Sequence, residues 1–145
     1  MNDIKYYESE NMQELRANAD NLDKVREVPL SMENLGVYHP LHGYKGIYSI
    51  DRNRVLSVVS TKYNLVPHKD YVISCGEALE RLNIPFTASI WDMGNNFRAN
   101  FKFKNSTLKF DKLGENFTTG IRLSNSYDNT SAINISPIFT RLACM

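Results

Sequence analysis

The chain has 145 residues, of which 42% are hydrophobic and 23% are charged, and its formal net charge is +1. These values exclude a collagen-like, coiled-coil or wholly disordered protein, and they fit one domain that needs no metal or disulfide to fold. The charge is uneven, because residues 1–34 carry eight acids and four bases whereas residues 35–145 carry thirteen bases and eight acids. A mildly basic body permits a nucleic-acid partner without requiring one.

Residues 1–34 are predicted to form an acidic, weakly structured leader. The stretch "ENMQELRANADNL" has a short helical pattern, but Met12, Leu15 and Leu22 give it only a thin apolar stripe. No signal-peptide pattern opens the chain, and no stretch approaches the ~18 apolar residues of a membrane span. We therefore expect a cytoplasmic protein without membrane association.

Residues 35–145 are predicted to form a single α+β domain. Residues 28–46 have a loop-like composition, with two prolines and three glycines. A hairpin around "DRN" then pairs residues 47–50 with residues 55–60. The stretch "PHKDYVISCGEALERLNI", residues 67–84, has apolar side chains at three- and four-residue steps, which predicts the main amphipathic helix.

Strand patterns fill the rest of the chain. The stretches "FTASIWDM" and "NFRANFKFKN" flank "GNN", which is good turn chemistry for a hairpin. The stretches "STLKFDKL", "FTTGIRLS" and "AINISPIFTRLAC" read as further strands, with a hairpin turn at "NSYDNTS". Pro137 cannot donate to a ladder, so the last strand is expected at an edge or with a bulge. The predicted fold is α+β, with antiparallel hairpins and one main amphipathic helix packed on a face.

The strand "NFRANFKFKN", residues 96–105, separates phenylalanines from cations. Cationic side chains that track phosphates and aromatic faces that stack bases are the usual means of holding single-stranded nucleic acid. The alternative is an ordinary solvated sheet face whose lysines discourage edge pairing. Tyr127 is expected to be exposed at its hairpin tip and Tyr63 is a second stacking candidate. The candidate nucleic-acid-binding residues are Arg98, Lys102, Lys104, Lys109, Arg122, Tyr127 and Tyr63.

No residue pattern in the chain predicts a metal site, a cofactor or a catalytic group. His39 and His42 have too few companions for a zinc shell, and there is no nucleophile elbow. Cys75 lies on the apolar stripe of the predicted helix and Cys144 has no nearby histidine, and so sparse a cysteine usage suits a reducing compartment. A metal-dependent nuclease remains an alternative, with its ligands drawn from Asp92, Asp111, Glu115 and Asp128.

Three motifs resemble one family. These are "VVSTKYNLVPH" (residues 58–68), "LSNSYDNTSA" (residues 123–132) and the pair Arg141 and Cys144 in "RLAC". They are similar to the phage/plasmid-like protein family of unknown function (DUF-932 domain), over residues 45–145. The resemblance implies a mobile-element origin and a role in phage or plasmid DNA metabolism, and it brings no catalytic residues. It also implies a chain truncated at its C-terminus, with residues 35–145 forming the N-terminal part of a longer family domain.

Together these observations favour a non-enzymatic nucleic-acid-binding protein that holds or anneals single strands, with single-stranded DNA as the favoured ligand. Exposed strand edges also suggest a homo-oligomer. The alternative is a protein-interaction module, such as an inhibitor of a host complex, that docks through the acidic leader or the loop "VYHPLHGY" and binds no nucleic acid.

Overall fold

The computed structural model describes residues 3–110, 115–128 and 133–141. Within these ranges the fold is α+β, as predicted, with antiparallel sheets and two helices. The elements in chain order are β1 (Lys5–Ser9), α1 (Met12–Ala19), β2 (Val25–Asn34), β3 (Val37–Ser49), β4 (Arg54–Ser60), α2 (His68–Arg81), β5 (Phe86–Asp92), β6 (Asn96–Phe110), β7 (Glu115–Ser126) and β8 (Asn134–Arg141).

The larger sheet has five strands in the order β1-β5-β6-β7-β8, all antiparallel to their neighbours. The predicted hairpin of β5 and β6 is present, and Gly94 in its turn has a φ of 83°, a left-handed conformation that favours glycine. β6 continues through Asn105 into the stretch that was predicted to be a separate strand. Its register with β7 shifts between Lys102 and Thr107. β8 lies at the edge, as Pro137 indicated.

The period-two pattern of β6 separates the two faces of this sheet. Phe97, Ala99 and Phe101 are fully buried in the main core beneath both helices, whereas Arg98 and Lys102 on the other face are exposed. Successive side chains of a strand point to opposite faces, so this separation follows directly from the sequence. We call the side of the five-stranded sheet that carries Arg98 and Lys102 the open face.

The prediction of a weakly structured leader for residues 1–34 is wrong. Residues 5–9 form β1, which pairs with β5, and residues 12–19 form α1. Leu15 is fully buried in the main core. Ala19 is also fully buried there, although it was not part of the predicted apolar stripe. The first turn of α1 is closed by a hydrogen bond from the Glu14 backbone N–H to the Asn11 side chain, at 2.9 Å.

The main helix lies where the sequence predicted it. α2 begins at His68, directly after Pro67, and buries Val72 and Leu79 against the sheet. Pro67 suits this start because it fixes its own backbone and leaves no N–H unpaired.

The second sheet has three strands in the order β2-β3-β4, and the predicted pairing of β3 with β4 is present. The interpretation of residues 28–46 as a loop is wrong, because β2 and β3 pair across this whole stretch and turn at Leu35 and Gly36. β4 pairs with β3 only from Tyr44 to Ser49, so residues 31–43 extend beyond the third strand as a two-stranded hairpin, with Tyr44 at its base. We call residues 31–44 the arm, and all of them are exposed.

A buried cluster of ionic side chains joins the two sheets. Asp23, which follows α1, pairs with Lys5 at 2.8 Å and with Arg52 from the turn between β3 and β4. The Arg52 guanidinium also donates to the carbonyl of Asp92 at 3.3 Å, and the Asp92 carboxylate accepts the backbone N–H of Asp23 at 2.8 Å. These contacts link β1, the end of β5 and the smaller sheet.

Neither helix within the described ranges is long and apolar enough to span a membrane.

Candidate nucleic-acid interface

The open face of the five-stranded sheet carries the predicted cations of β6 and β7. Cross-strand register places Arg98 between Trp91 of β5 and Ser124 of β7. The next row on this face has Asn100 beside Arg122. Directly paired residues of antiparallel strands project to the same side, so Arg98, Lys102 and Arg122 share one face as the sequence analysis expected.

Arg98 forms a cluster with two aromatic rings on this face. Its guanidinium carbon lies 4.8 Å from the centroid of the Trp91 ring, which is within the range of a cation–π contact. The Tyr6 ring lies on the other side of Trp91, with centroids 5.2 Å apart and planes tilted by 45°. Tyr6 is exposed and Trp91 is half-buried, so the cluster is accessible from solvent.

The sequence analysis missed this aromatic pair. Neither Trp91 nor Tyr6 is among the residues predicted to bind nucleic acid, whereas Trp91 lies on the open face and contacts Tyr6 and Arg98. The sequence contained a signal for Trp91. In β5, Thr87, Ser89 and Trp91 alternate with Phe86, Ala88 and Ile90, so the two sets lie on opposite faces of the sheet. Tyr6 had no such signal, since its position depends on the pairing of β1 with β5.

Two hydrogen bonds join further polar side chains of the open face. The Arg122 side chain donates from Nε to the Asn100 side-chain oxygen at 2.9 Å, which fixes its head group over β6. Among the described strand residues, the register places one acid on this face, Glu8 at the β1 edge. The Glu8 carboxylate accepts a hydrogen bond from the Tyr6 hydroxyl at 2.5 Å, and this bond raises the pKa of Tyr6.

No carboxylate of the described residues forms an ion pair with Arg98, Lys102 or Arg122. The three cations are therefore available to an external anion.

Lys104, one of the five predicted cations, is not part of this arrangement. Lys104 lies beyond the end of β5 and borders a cavity of about 340 Å³ at the ends of α1 and α2, which Glu10 and Glu80 also line. The shift of register that follows Lys102 ends the regular row on β6. The side chain of Lys109 lies outside the described residues.

The prediction that Tyr127 is an exposed stacking residue is wrong. Its side chain is fully buried, with its ring stacked on the His68 imidazole at a centroid distance of 4.0 Å. Its hydroxyl accepts the backbone N–H of His68 at 2.9 Å, and burial raises the pKa of Tyr127. The turn composition around Tyr127 suggested exposure, but this partner lies 59 residues away in the chain.

Tyr63 is also unavailable for stacking a base. It is half-buried and packs against a small core formed by Ile47, Val59 and Tyr127. Its hydroxyl donates to the carbonyl of Ser126 at 3.0 Å. Burial raises the pKa of Tyr63, because the phenolate would lose its hydration.

Two of the motifs that carry the family resemblance meet where the start of α2 contacts the end of β7. The Asn125 side chain donates to the carbonyl of Val66 at 2.9 Å and lies 3.1 Å from Nδ1 of His68. Nε2 of His68 lies 2.9 Å from the carbonyl of Gly94 and therefore carries the proton. Burial lowers the pKa of His68 to about 4, so the ring is neutral at pH 7. The motif residues 58–68 and 123–128 thus hold the two sheets together.

No metal-binding group of side chains is found within the described residues. Burial raises the pKa of Cys75 to about 11, which keeps its thiol protonated and unreactive. His39 and His42 are exposed on the arm, and the part of the chain that is described contains no group of three metal-ligating side chains. Of the nuclease candidates, Asp92 belongs to the ionic cluster and Asp111 lies outside the described residues.

Comparison of the chain with protein-family models, with curated proteins and with solved structures finds no match.

Proposed function

We propose that the chain binds single-stranded nucleic acid on the open face of its five-stranded sheet. The observation that carries the proposal is the position of Arg98, which lies over the Trp91 ring on a face that it shares with Lys102 and Arg122. Single-strand binding combines cations that contact phosphates with aromatic rings that stack bases, and this face has both.

Each group would have its own role in binding. Residues four apart on a strand lie ~13 Å apart on one face, which is close to two nucleotide steps, so Arg98 and Lys102 would contact alternate phosphates. Arg122, held by Asn100, would contact the backbone from the neighbouring strand. Trp91 and Tyr6 would stack bases, since every base has a π-face and stacking needs no particular sequence.

This activity requires no catalytic group and no cofactor. We also propose, on the motifs of residues 58–68 and 123–132, that the chain is related to the phage/plasmid-like protein family of unknown function and acts on DNA within the cytoplasm. The alternative of a protein-interaction module is supported by a different observation, the exposure of the whole arm, which contains the "VYHPLHGY" segment expected to dock on a partner.

A binding titration with matched variants tests the proposal. Fluorescence anisotropy of a labelled oligonucleotide should show binding by the wild-type chain. The variants Arg98→Ala and Trp91→Ala should each weaken this binding by about tenfold to a hundredfold, because a stacking contact contributes ~1–3 kcal/mol. Arg81→Ala is the matched control, since Arg81 is exposed at the end of α2, away from the open face. Equal affinity of all variants would reject the open face, and absence of binding would reject the function.

A further inference from the structure

The arm exposes a large apolar surface. Six large apolar side chains between residues 31 and 44 are exposed, and Leu35 at the tip is 97% exposed. Taking roughly 200 Å² for a fully exposed large side chain and an average exposure of about six-tenths, they present on the order of 700 Å². Cross-strand register divides this surface between the two faces of the hairpin, with Met32 and Val37 on one face and Tyr38 on the other. Exposed apolar patches of a few hundred Å² often mark a contact with another molecule. The six residues are Met32, Leu35, Val37, Tyr38, Leu41 and Tyr44.

The composition of the arm does not suit a polyanion. Between Val28 and Tyr44 the only formally charged residue is Glu33. A segment that contacts phosphates would carry lysine or arginine, so the arm and the open face have different partners.

The arm also lacks support within the chain. A two-stranded hairpin is marginal in water by itself, and three or more strands or a packed helix are needed for stability. β2 has no neighbour along its outer edge in the part of the sheet that is described, and residues 37–42 of β3 have none on their side away from β2. The arm therefore offers two unpaired edges to strands of another molecule.

We propose that the arm is a dimerisation element that pairs with the arm of a second copy of this chain. Two arms paired at their edges could cover one face of each other and bury on the order of 700 Å² of apolar surface together, which is the size of a weak, reversible contact. They would form a four-stranded sheet, which removes the instability of the single hairpin. An isologous contact of this kind closes as a symmetric dimer.

The outer edge of β2 is the pairing edge. Pro40 in β3 has no N–H, and a proline blocks the addition of a strand. Leu30 to Asn34 of β2 contains no proline. A two-fold axis near Met32 would place Glu33 of one copy opposite Ser31 of the other, which avoids the contact of like charges.

Sedimentation of the full chain tests the proposal. The wild type is expected to be a dimer, and Met32→Glu with Tyr38→Glu should raise the dimer dissociation constant by at least about tenfold. Val58→Glu is the matched control and should leave the dimer intact, because Val58 on β4 has the same 57% exposure as Met32 but lies outside the arm. Trp91 fluorescence and circular dichroism verify that each variant folds. A monomeric wild type would contradict the proposal.

A cross-linking variant gives a second readout that does not depend on the stability of the charged variant. Met32→Cys should form an intermolecular disulfide under mild oxidation, whereas Val58→Cys should not. A dimer that survives the arm substitutions but is lost in Ile135→Glu, on the exposed apolar side of β8, would reject the arm as the interface. The arm variants should bind oligonucleotide as monomers, so failure of dimerisation and failure of nucleic-acid binding are separate results.

Discussion

The imidazole of His68 stacks on the ring of Tyr127 with centroids 4.0 Å apart and planes 13° apart. The backbone N–H of His68 donates to the hydroxyl of the same tyrosine at 2.9 Å. The carbonyl of Tyr127 accepts a hydrogen bond from Ser57 of β4 at 2.6 Å. The contact therefore ties the start of α2 and the end of β7 to the smaller sheet.

Tyr127→Phe should destabilise the protein while leaving the stack in place. The substitution leaves the buried N–H of His68 without its acceptor, which costs ~1–3 kcal/mol. Urea unfolding would measure this loss. Tyr44→Phe is the control, because the side chain of Tyr44 is exposed on the arm. An unchanged free energy of unfolding in Tyr127→Phe would contradict the assigned hydrogen bond.

The stability of the protein should fall between pH 6.5 and pH 4. The pKa of His68 is lowered to about 4 in the folded state by burial, whereas an unfolded histidine titrates near ~6.5. The unfolded state binds more protons in this window, so acid removes stability, by up to ~3 kcal/mol in total. Burial raises the pKa of Asp92, which offsets part of the loss.

Urea unfolding at several pH values would measure this slope, and His68→Gln provides the comparison. The variant should be less stable at pH 7 but should lose less stability on acidification. Parallel pH profiles for the wild type and His68→Gln would show that His68 is not the group responsible.

Arg52→Met should be strongly destabilising. The substitution leaves the buried carboxylates of Asp23 and Asp92 with Lys5 as the remaining nearby cation, and loss of one partner of a buried ion pair costs ~3–5 kcal/mol. Arg16→Met removes only exposed pairs with Glu77 and Glu80, so its effect should stay below ~1 kcal/mol. Similar unfolding free energies for the two variants would contradict the role of the ionic cluster.

Gly120→Ala should prevent normal pairing of β6 with β7. A Cβ at this position would lie 2.0 Å from the carbonyl oxygen of Phe101, and a backbone atom in a central strand cannot move aside without breaking the sheet. We expect a loss of more than ~3 kcal/mol or failure to fold. In Gly36→Ala at the arm tip, the added Cβ meets no atom within 4 Å. The loss of stability should therefore be limited to the strain of its φ of 79°, ~1 kcal/mol.

The sequence predicted those parts of the fold that depend on local pattern. The alternation in residues 96–105 separated the core side from the open face, and the apolar period of residues 67–84 located α2. Arg98 and Lys102 share a face because that alternation is a property of any strand, whereas Arg122 joins them through the register of β6 with β7. Their grouping with Trp91 and Tyr6 depends on which strands are neighbours, and no local pattern specifies this.

The wrong predictions concern residues whose structure depends on distant partners. Tyr127 lies in a polar turn sequence but is buried by His68 and Tyr63. Residues 28–46 are rich in proline and glycine, yet backbone pairing makes them two strands. The thin apolar stripe of α1 is sufficient because it packs on α2, in a core to which α2 and the five-stranded sheet contribute most of the buried side chains.

The most direct test of the open face uses Trp91, the only tryptophan of the chain, as an intrinsic probe. Titration of the wild-type protein with an unlabelled single-stranded oligonucleotide should quench its fluorescence to saturation, because bases would stack on the ring. The affinity should also fall steeply as salt increases, since bound phosphates release counterions. Binding detected by anisotropy without any change in the emission of Trp91 would contradict the proposed site, and an absence of both signals would contradict the proposed function.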